Sequence, residues 1–306
     1  MNLKNSFTSA PRIWVWVTAA AALAVSGLTL PGETTRTLTM AGSELLGPAV
    51  EQAWQDYGAE IDVEVKTAFR GSRPARDRLE AGVVDMVVLV DDPSESGVPE
   101  GWVALPLAHV AALVVVPRDL TLEQLSFRDL NRIYNANSAV ATTRWGDFGA
   151  TGKWEYTPIS MHVMTAASGL AHEIFGHEVL QGEAMKGSVK RHDEWETALS
   201  AATEDDGGIG IVSWLPVGHP KLKSLLISPE GDQVAFGPSA ENMSAGDYPL
   251  AITLRLVVPR TRVAEMLPWL QFWYRDEITA ALREDRLMPL PPSDRNQQVF
   301  DLEVIE

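Results

Sequence analysis

Thr37-Leu38-Thr39-Met40-Ala41-Gly42-Ser43 decides the fold: a short run of strand character that ends on a glycine and a serine. Helical spacing takes over at once, with Leu46, Val50, Ala53, Trp54 and Tyr57 on one side of a helix expected over 45–57. Ile61 to Val65 then alternates apolar and charged residues, as a strand does. Arg70-Gly71-Ser72 is a turn, Pro74 suits the first turn of a helix running to Ala81, and Gly82 closes that helix. Val83 to Val90 is an apolar run of strand length, the pattern of a strand covered on both faces. Ala111 to Val116 is a second such run, stopped by Pro117.

The second half repeats this grammar. Helical segments are expected over 122–134, 170–180 and 194–202, and strands over 159–163, 209–212 and 253–258. Trp145-Gly146-Asp147-Phe148-Gly149 reads as a turn, and Thr165 to Gly169 as a loop of small residues. A helical pattern over 263–283 carries an expected break at Pro268, and the Pro-rich tail from Met288 is expected to run over the surface. Strands alternating with helices predict an α/β fold with mostly parallel sheets flanked by helices.

Composition bounds the function. The chain has 306 residues and 10 Trp, enough apolar material for two cores at roughly 100–200 residues per domain. It has no Cys, which excludes disulfides, a thiol nucleophile and a zinc–thiolate site. A net charge of -16 argues against nucleic acid as a partner, because binding it needs a basic surface. A small anion is still admissible, since a local nest of N–H groups outweighs a distant net charge.

Lys4 and Arg12 precede an apolar run over residues 13–30 that ends at Pro31-Gly32, with no acid before Glu33. That is the plan of an export signal, and Ala22-Leu23-Ala24 or Ala24-Val25-Ser26 offers small residues for cleavage. Residues 1–34 are therefore expected to be a signal peptide, with an uncleaved membrane anchor through residues 13–30 as the alternative. Either places the folded part in the periplasm or otherwise outside the cytoplasm.

Ligands in α/β folds sit at the carboxyl ends of strands, where helix N-termini point. Three places fit by sequence: Gly42-Ser43, Gly71-Ser72 before Pro74, and Ala167-Ser168-Gly169 before Leu170. Each pairs a glycine that lets backbone approach a ligand with a serine hydroxyl, next to helix N–H groups that favour negative charge. Each is also an ordinary turn with an ordinary helix cap.

The order of these segments resembles the phosphate-binding proteins of phosphate ABC transporters, within the type 2 periplasmic binding-protein fold. Ala41-Gly42-Ser43 resembles the family's first binding loop, and Gly71-Ser72 its second, followed by Gly82 and Asp85. Leu120 to Leu125 looks like the start of the family's second domain, Trp145 to Gly149 like its tryptophan turn, and Ser168-Gly169 with Phe175 like its third loop and helix. Gly208 to Val212 resembles the returning strand. Pro238-Ser239-Ala240-Glu241-Asn242-Met243, then Gly246-Asp247-Tyr248-Pro249-Leu250, is the most specific match.

The resemblance implies two lobes joined by two crossover segments, 35–115 with 216–306 forming lobe one and 116–215 lobe two. It implies an anion held between them by hinge closure, with ABC permease subunits as partners, no cofactor, no metal and no bond chemistry. The ligand residues it implies are Gly42, Ser43, Gly71, Ser72, Ser168 and Gly169, to which Arg73, Asp91 and Thr165 are added as candidates where the chain departs from the family.

Departures fall at the ligand. Glu44 stands where the family usually has Thr, Leu89 and Val90 where it has serines, Met164 where it has Arg, and Leu170 where it has Thr. Asp91 is the candidate carboxylate acceptor for a protonated anion. Arg73, flanked by Arg70 and Arg76, is the candidate replacement cation, and Thr165 the candidate replacement hydroxyl.

Other constellations are weaker. His172 and His177 are five apart in a segment that resembles a zinc hydrolase helix, whereas that chemistry needs a spacing of four. No Gly-x-Ser-x-Gly pentapeptide occurs, and an apolar strand run, not a helix, follows Gly207-Gly208-Ile209-Gly210. Trp269, Phe272, Trp273 and Tyr274 read as core by default and as a partner surface if exposed. Two functions remain: an extracytoplasmic solute-binding protein for phosphate or a related tetrahedral oxyanion, or a non-transport relative with a lost or altered ligand that acts as a sensor or interaction module.

Overall fold

The computed structural model describes residues 36–91, 100–139, 144–165 and 169–305. The expected leader over 1–34 and the candidate Ser168 lie outside them. In chain order the first part holds β1 (Arg36–Gly42), α1 (Pro48–Glu60), β2 (Val63–Phe69), α2 (Ser72–Glu80), β3 (Met86–Val90), β4 (Trp102–Ala111) and β5 (Leu113–Pro117). Next come β6 (Gln124–Ser126), α3 (Phe127–Tyr134), β7 (Ser160–Met164), α4 (Ala171–Glu178), β8 (Lys190–His192), α5 (Trp195–Glu204) and β9 (Gly208–Val212). The last part holds β10 (Leu222–Ser224), β11 (Leu226–Ser228), α6 (Ala240–Ser244), β12 (Ala251–Pro259), α7 (Val263–Phe272), α8 (Asp276–Glu284), β13 (Met288–Pro289) and α9 (Pro292–Val304).

Two sheets carry the α/β architecture expected from the sequence. One has six strands in the order β13-β4-β12-β3-β1-β2, the other five in the order β10-β5-β9-β7-β8. β1 runs parallel to β2 and β3, and β7 parallel to β8 and β9, so each sheet has a parallel half with one common carboxyl edge. The apolar run of β3 is covered on both faces: Met86 and Val88 join the main core, while Val87 and Leu89 pack with Ala75 and Leu79 of α2.

The chain leaves the first sheet at Ala111 and enters the second at Leu113. Tyr248 fixes this crossover: its hydroxyl donates to the Ala112 carbonyl at 2.8 Å, and the Ala112 N–H donates to Leu250 O at 2.9 Å. The motif around Tyr248 thus ties the two crossovers side by side. β10 pairs with β5 in the five-stranded sheet and β11 with β6 in a separate two-stranded one, so the chain stays with the second sheet at least to Ser224, beyond the 215/216 boundary drawn from the sequence. The 115/116 boundary likewise falls inside β5.

Several elements differ from expectation. The sequence gives no expectation of β4, because Pro106 interrupts its pattern. Pro106 sits at a register irregularity, with Arg255 facing Pro106 and Leu254 facing Ala108. Pro268 lies inside α7, and the helical break comes instead between Phe272 and Asp276. The tail from Met288 is not a surface loop: it adds β13 and α9, with Leu290 and Leu302 buried. Trp269, Phe272, Trp273 and Tyr274 are all buried, and Trp54 packs against Phe272 and Trp273.

Candidate functional site

The carboxyl edge of β1, β2 and β3 brings the first two loops and Asp91 together by backbone hydrogen bonds. Gly42 ends β1, and its carbonyl accepts the Gly71 N–H at 3.0 Å. A Cβ at Gly42 would come 2.7 Å from the Val88 carbonyl, so only glycine lets the strands close here. Ser43 is buried; its N–H donates to Val88 O at 2.9 Å, and its hydroxyl accepts the Leu45 N–H at 3.3 Å. Gly71 holds φ at +119° as the N-cap of α2, a conformation that side chains disfavour. The Ser72 hydroxyl accepts the Val90 N–H at 2.9 Å, which leaves its own hydrogen to donate. Arg73 is exposed in the first turn of α2, with no hydrogen bond or ion pair among the described residues.

Asp91 follows β3 on the same edge. Its N–H donates to Thr253 O at 2.8 Å, and Arg255 of β12 grips its Oδ2 at 2.8 Å. Arg255 has no signal in the sequence, since nothing local links residues 164 apart. Asp85, one strand-length earlier, has a structural task. Burial alone would raise its pKa, but hydrogen bonds from the Thr39 N–H and hydroxyl and from Arg262 hold it below the usual carboxylate value.

The remaining candidates stand on the other sheet. Thr165 follows β7 at its carboxyl edge; its N–H donates to His192 O at 2.9 Å and its hydroxyl to Asp193 at 2.8 Å. Gly169 has φ at +122° just before α4. Among the described residues, no hydrogen bond joins these two to the first loops.

The departures have structural outcomes. Glu44 turns toward the second loop: its Oε2 lies 3.6 Å from where a Cβ would project at Gly71. Met164 is buried, and its Sδ accepts the Ser213 N–H at 3.2 Å. The N-terminus of α1 is not open to an anion. Asp285 accepts the N–H groups of Gly47, Ala49 and Val50 at 2.9, 3.2 and 3.0 Å. Of the three expected helix N-termini, this one is filled from within the protein.

Two polar clusters lie elsewhere. Ser160, His162 and Asp205 meet in the second sheet, but not as a hydrolytic triad. Asp205 takes the His162 Nε2–H at 2.6 Å, the nitrogen that also faces Ser160, while Nδ1 faces His192 at 3.1 Å. Lys190 first, then Ser160, pull the Asp205 pKa down to about 2, so this network is a fixed charge pair joining β7, β8 and the start of β9. His109 of β4 is buried between Ser244 and Thr253, at 3.2 Å from each hydroxyl. Burial lowers its pKa from 6.5 to about 4, with Asp294 opposing and Arg255 assisting.

His109 therefore carries a pH prediction. The folded protein holds it neutral, while the unfolded chain takes up a proton below about 6.5, so stability falls as pH drops from about 6.5 toward 4. The loss approaches about 3 kcal/mol at the lower end. Calorimetric melting from pH 7.5 to 4.5 should show this loss in the native protein and not in His109→Gln. Parallel curves for the two proteins would remove His109 as the cause.

Comparison with known proteins places the fold. The model of a PBP superfamily domain matches residues 29–277. The chain belongs to the PBP superfamily. Among curated relatives of this PBP-superfamily protein, Protein SphX of Synechococcus elongatus is 23% identical over 195 residues, covering 62% of this chain and 56% of that protein. The phosphate-binding protein PstS of Pseudomonas aeruginosa is 22% identical over 159 residues, covering 51% and 49%. The chain thus spans about half the length of the curated relatives it matches.

Solved structures agree on the two-lobed fold. A possible phosphate binding protein from Planctomyces limnophilus aligns with a TM-score of 0.64 at 17% identity, covering 88% of this chain and 99% of that one. An ABC-type phosphate transport receptor from Vibrio cholerae aligns with a TM-score of 0.61 at 15% identity, covering 83% and 100%.

Proposed function

We propose that this PBP-superfamily chain is an extracytoplasmic solute-binding protein that captures phosphate or a related tetrahedral oxyanion between its two lobes for an ABC permease. One observation carries the reading. Two glycine–serine turns meet at a single carboxyl edge, with the Ser72 hydroxyl hydrogen and the Arg73 guanidinium, which has no partner among the described residues, beside them. In this reading Gly42, Ser43, Gly71, Ser72 and Arg73 make one wall, and Thr165 and Gly169 the other, with Ser168 carried only by its place in the sequence. Asp91, aligned by Arg255, accepts a hydrogen bond from a protonated anion, and a ligand without a proton has nothing to give it. The printed names of the relatives support the same ligand class. Residues 1–34 serve as export leader or anchor.

Glu44 beside Gly71 and the loss of an arginine at Met164 favour a second reading, in which the lobes are kept and the anion is changed or lost. Calorimetric titration of the full chain with phosphate and, in parallel, sulfate decides between them, after unfolding and refolding to strip carried-over ligand. Micromolar or tighter phosphate binding without a sulfate response is the expected result. No heat and no thermal shift with either anion would overturn the first reading in favour of the second.

A further inference from the structure

A cavity of about 320 Å³ lies beside the crossover between the sheets. Its walls come from both sides: His109, Ala111 and Met288 belong to the six-stranded sheet, Leu113 and Leu222 to the five-stranded one. In sheet order these are the β13-β4 and β10-β5 ends, whereas the first two loops sit on β3, β1 and β2, and Thr165 follows β7. Among the described residues, none of the candidate anion-loop residues lines the cavity.

Its chemistry is unlike that of the rest of the chain. Among the described residues 18 line it and none of these is Asp or Glu, in a protein of net charge -16, while Arg118, Lys223 and Arg286 all line it. Lys223 is answered by Glu123 at 2.6 Å, and Arg286 by Glu196 at 3.4 Å, both from residues outside the cavity lining. Arg118 has no carboxylate partner among the described residues. Its Nε donates to His219 O and its Nη2 to the carbonyls of His219 and Leu222, and both Nη1 hydrogens are left over. The His219 Nδ1 accepts the Leu222 N–H at 3.0 Å, which puts the ring hydrogen on Nε2 as a further donor. Much of the remaining wall is apolar, built from Leu113, Leu215, Leu222, Met243, Met288 and the half-buried Trp214, with Ser213, Ser224 and His109 among them.

We infer that this cavity is a second ligand site, which takes a small organic monoanion: a carboxylate on an apolar, preferably flat, body. The guanidinium of Arg118 meets the carboxylate, and the body lies against Trp214 and the aliphatic wall. The volume suits such a molecule, since ligand pockets start at about 300 Å³. Bare phosphate does not fit the assignment, because it would leave the apolar wall unfilled.

The test is calorimetric titration of the full chain with 2-naphthoate and with the neutral 2-naphthamide, each with and without saturating phosphate. The expected result is naphthoate binding at least about tenfold tighter than naphthamide. Its affinity should stay within about twofold when phosphate is added. Arg118→Gln should cost naphthoate about tenfold and leave naphthamide within about twofold. Arg286→Met, which leaves the loop anchored by Arg118 intact, should weaken naphthoate by about threefold. No naphthoate binding, equal binding of the two probes, or naphthoate affinity unchanged in both variants would each overturn the assignment. Competition by phosphate would place naphthoate in the anion loops instead and overturn it too. Failure of phosphate to bind leaves this outcome intact, because the two sites share no described residue.

Discussion

Glu44→Thr should strengthen phosphate binding by about tenfold. The Glu44 carboxylate reaches the second loop, 3.6 Å from the Cβ position of Gly71, at the end of α2 that lacks a side-chain cap. An incoming oxyanion at the Gly71-Ser72 turn meets that negative charge before it gains the hydrogen bonds of the loop. Two like charges about 4 Å apart repel each other substantially at the intermediate dielectric of a protein cleft. Threonine removes the charge and adds a hydroxyl that can donate. Glu44→Gln separates the two contributions, since it removes the charge while keeping the size; it should recover most of the gain. Because Glu44 is exposed, the advantage of both variants should shrink as ionic strength rises. Calorimetry with phosphate at low and high salt reads all of this. If the native protein binds phosphate and Glu44→Gln binds it no better, the carboxylate swings clear in the bound state and does not set the affinity.

The first half of the fold was legible because its signals are local. The two-sided apolar run of β3, the Gly-Ser turns and Gly82 after α2 each state their role within a few residues. β4 was hidden by Pro106, whose irregularity makes sense only against its partner β12. The α9 helix was hidden by proline as well, although Pro291 and Pro292 occupy its N-terminal end, where proline costs a helix nothing. Pro268 suggests a break inside α7, whereas the signal at the true break is Asp276-Glu277, the acids that open α8. At the candidate site, the glycine–serine pairs could be read and their partners could not. The Asp91–Arg255 grip and the turn of Glu44 toward Gly71 depend on which strands become neighbours, and no window of sequence contains that.

Asp285→Ala should destabilise the protein by about 3 kcal/mol. This one carboxylate, just after α8, accepts three N–H groups at the start of α1: Gly47, Ala49 and Val50. Hydrogen bonds to a charged acceptor contribute about 1.5–3 kcal/mol each, and water can replace part of that at the half-buried Gly47 and Ala49. It cannot readily reach Val50, which is fully buried, so at least one donor would be stranded. The carboxylate also meets the positive end of the α1 dipole, an attraction that neutral residues lose. Gly47 is part of the same device, since a Cβ there would come 2.8 Å from the Asp285 carboxyl carbon. Gly47→Ala should therefore also destabilise, and combining it with Asp285→Ala should cost less than the sum of the two, because both break one contact. Asp285→Asn keeps an acceptor oxygen and should fall between Asp285→Ala and the native protein. Urea unfolding of the four variants measures these differences. Additive losses, or an Asp285→Ala protein as stable as the native one, would mean that water caps α1 equally well. The expected loss would instead confirm that the N-terminus of α1 is closed by the chain itself and is not a place where an anion is held.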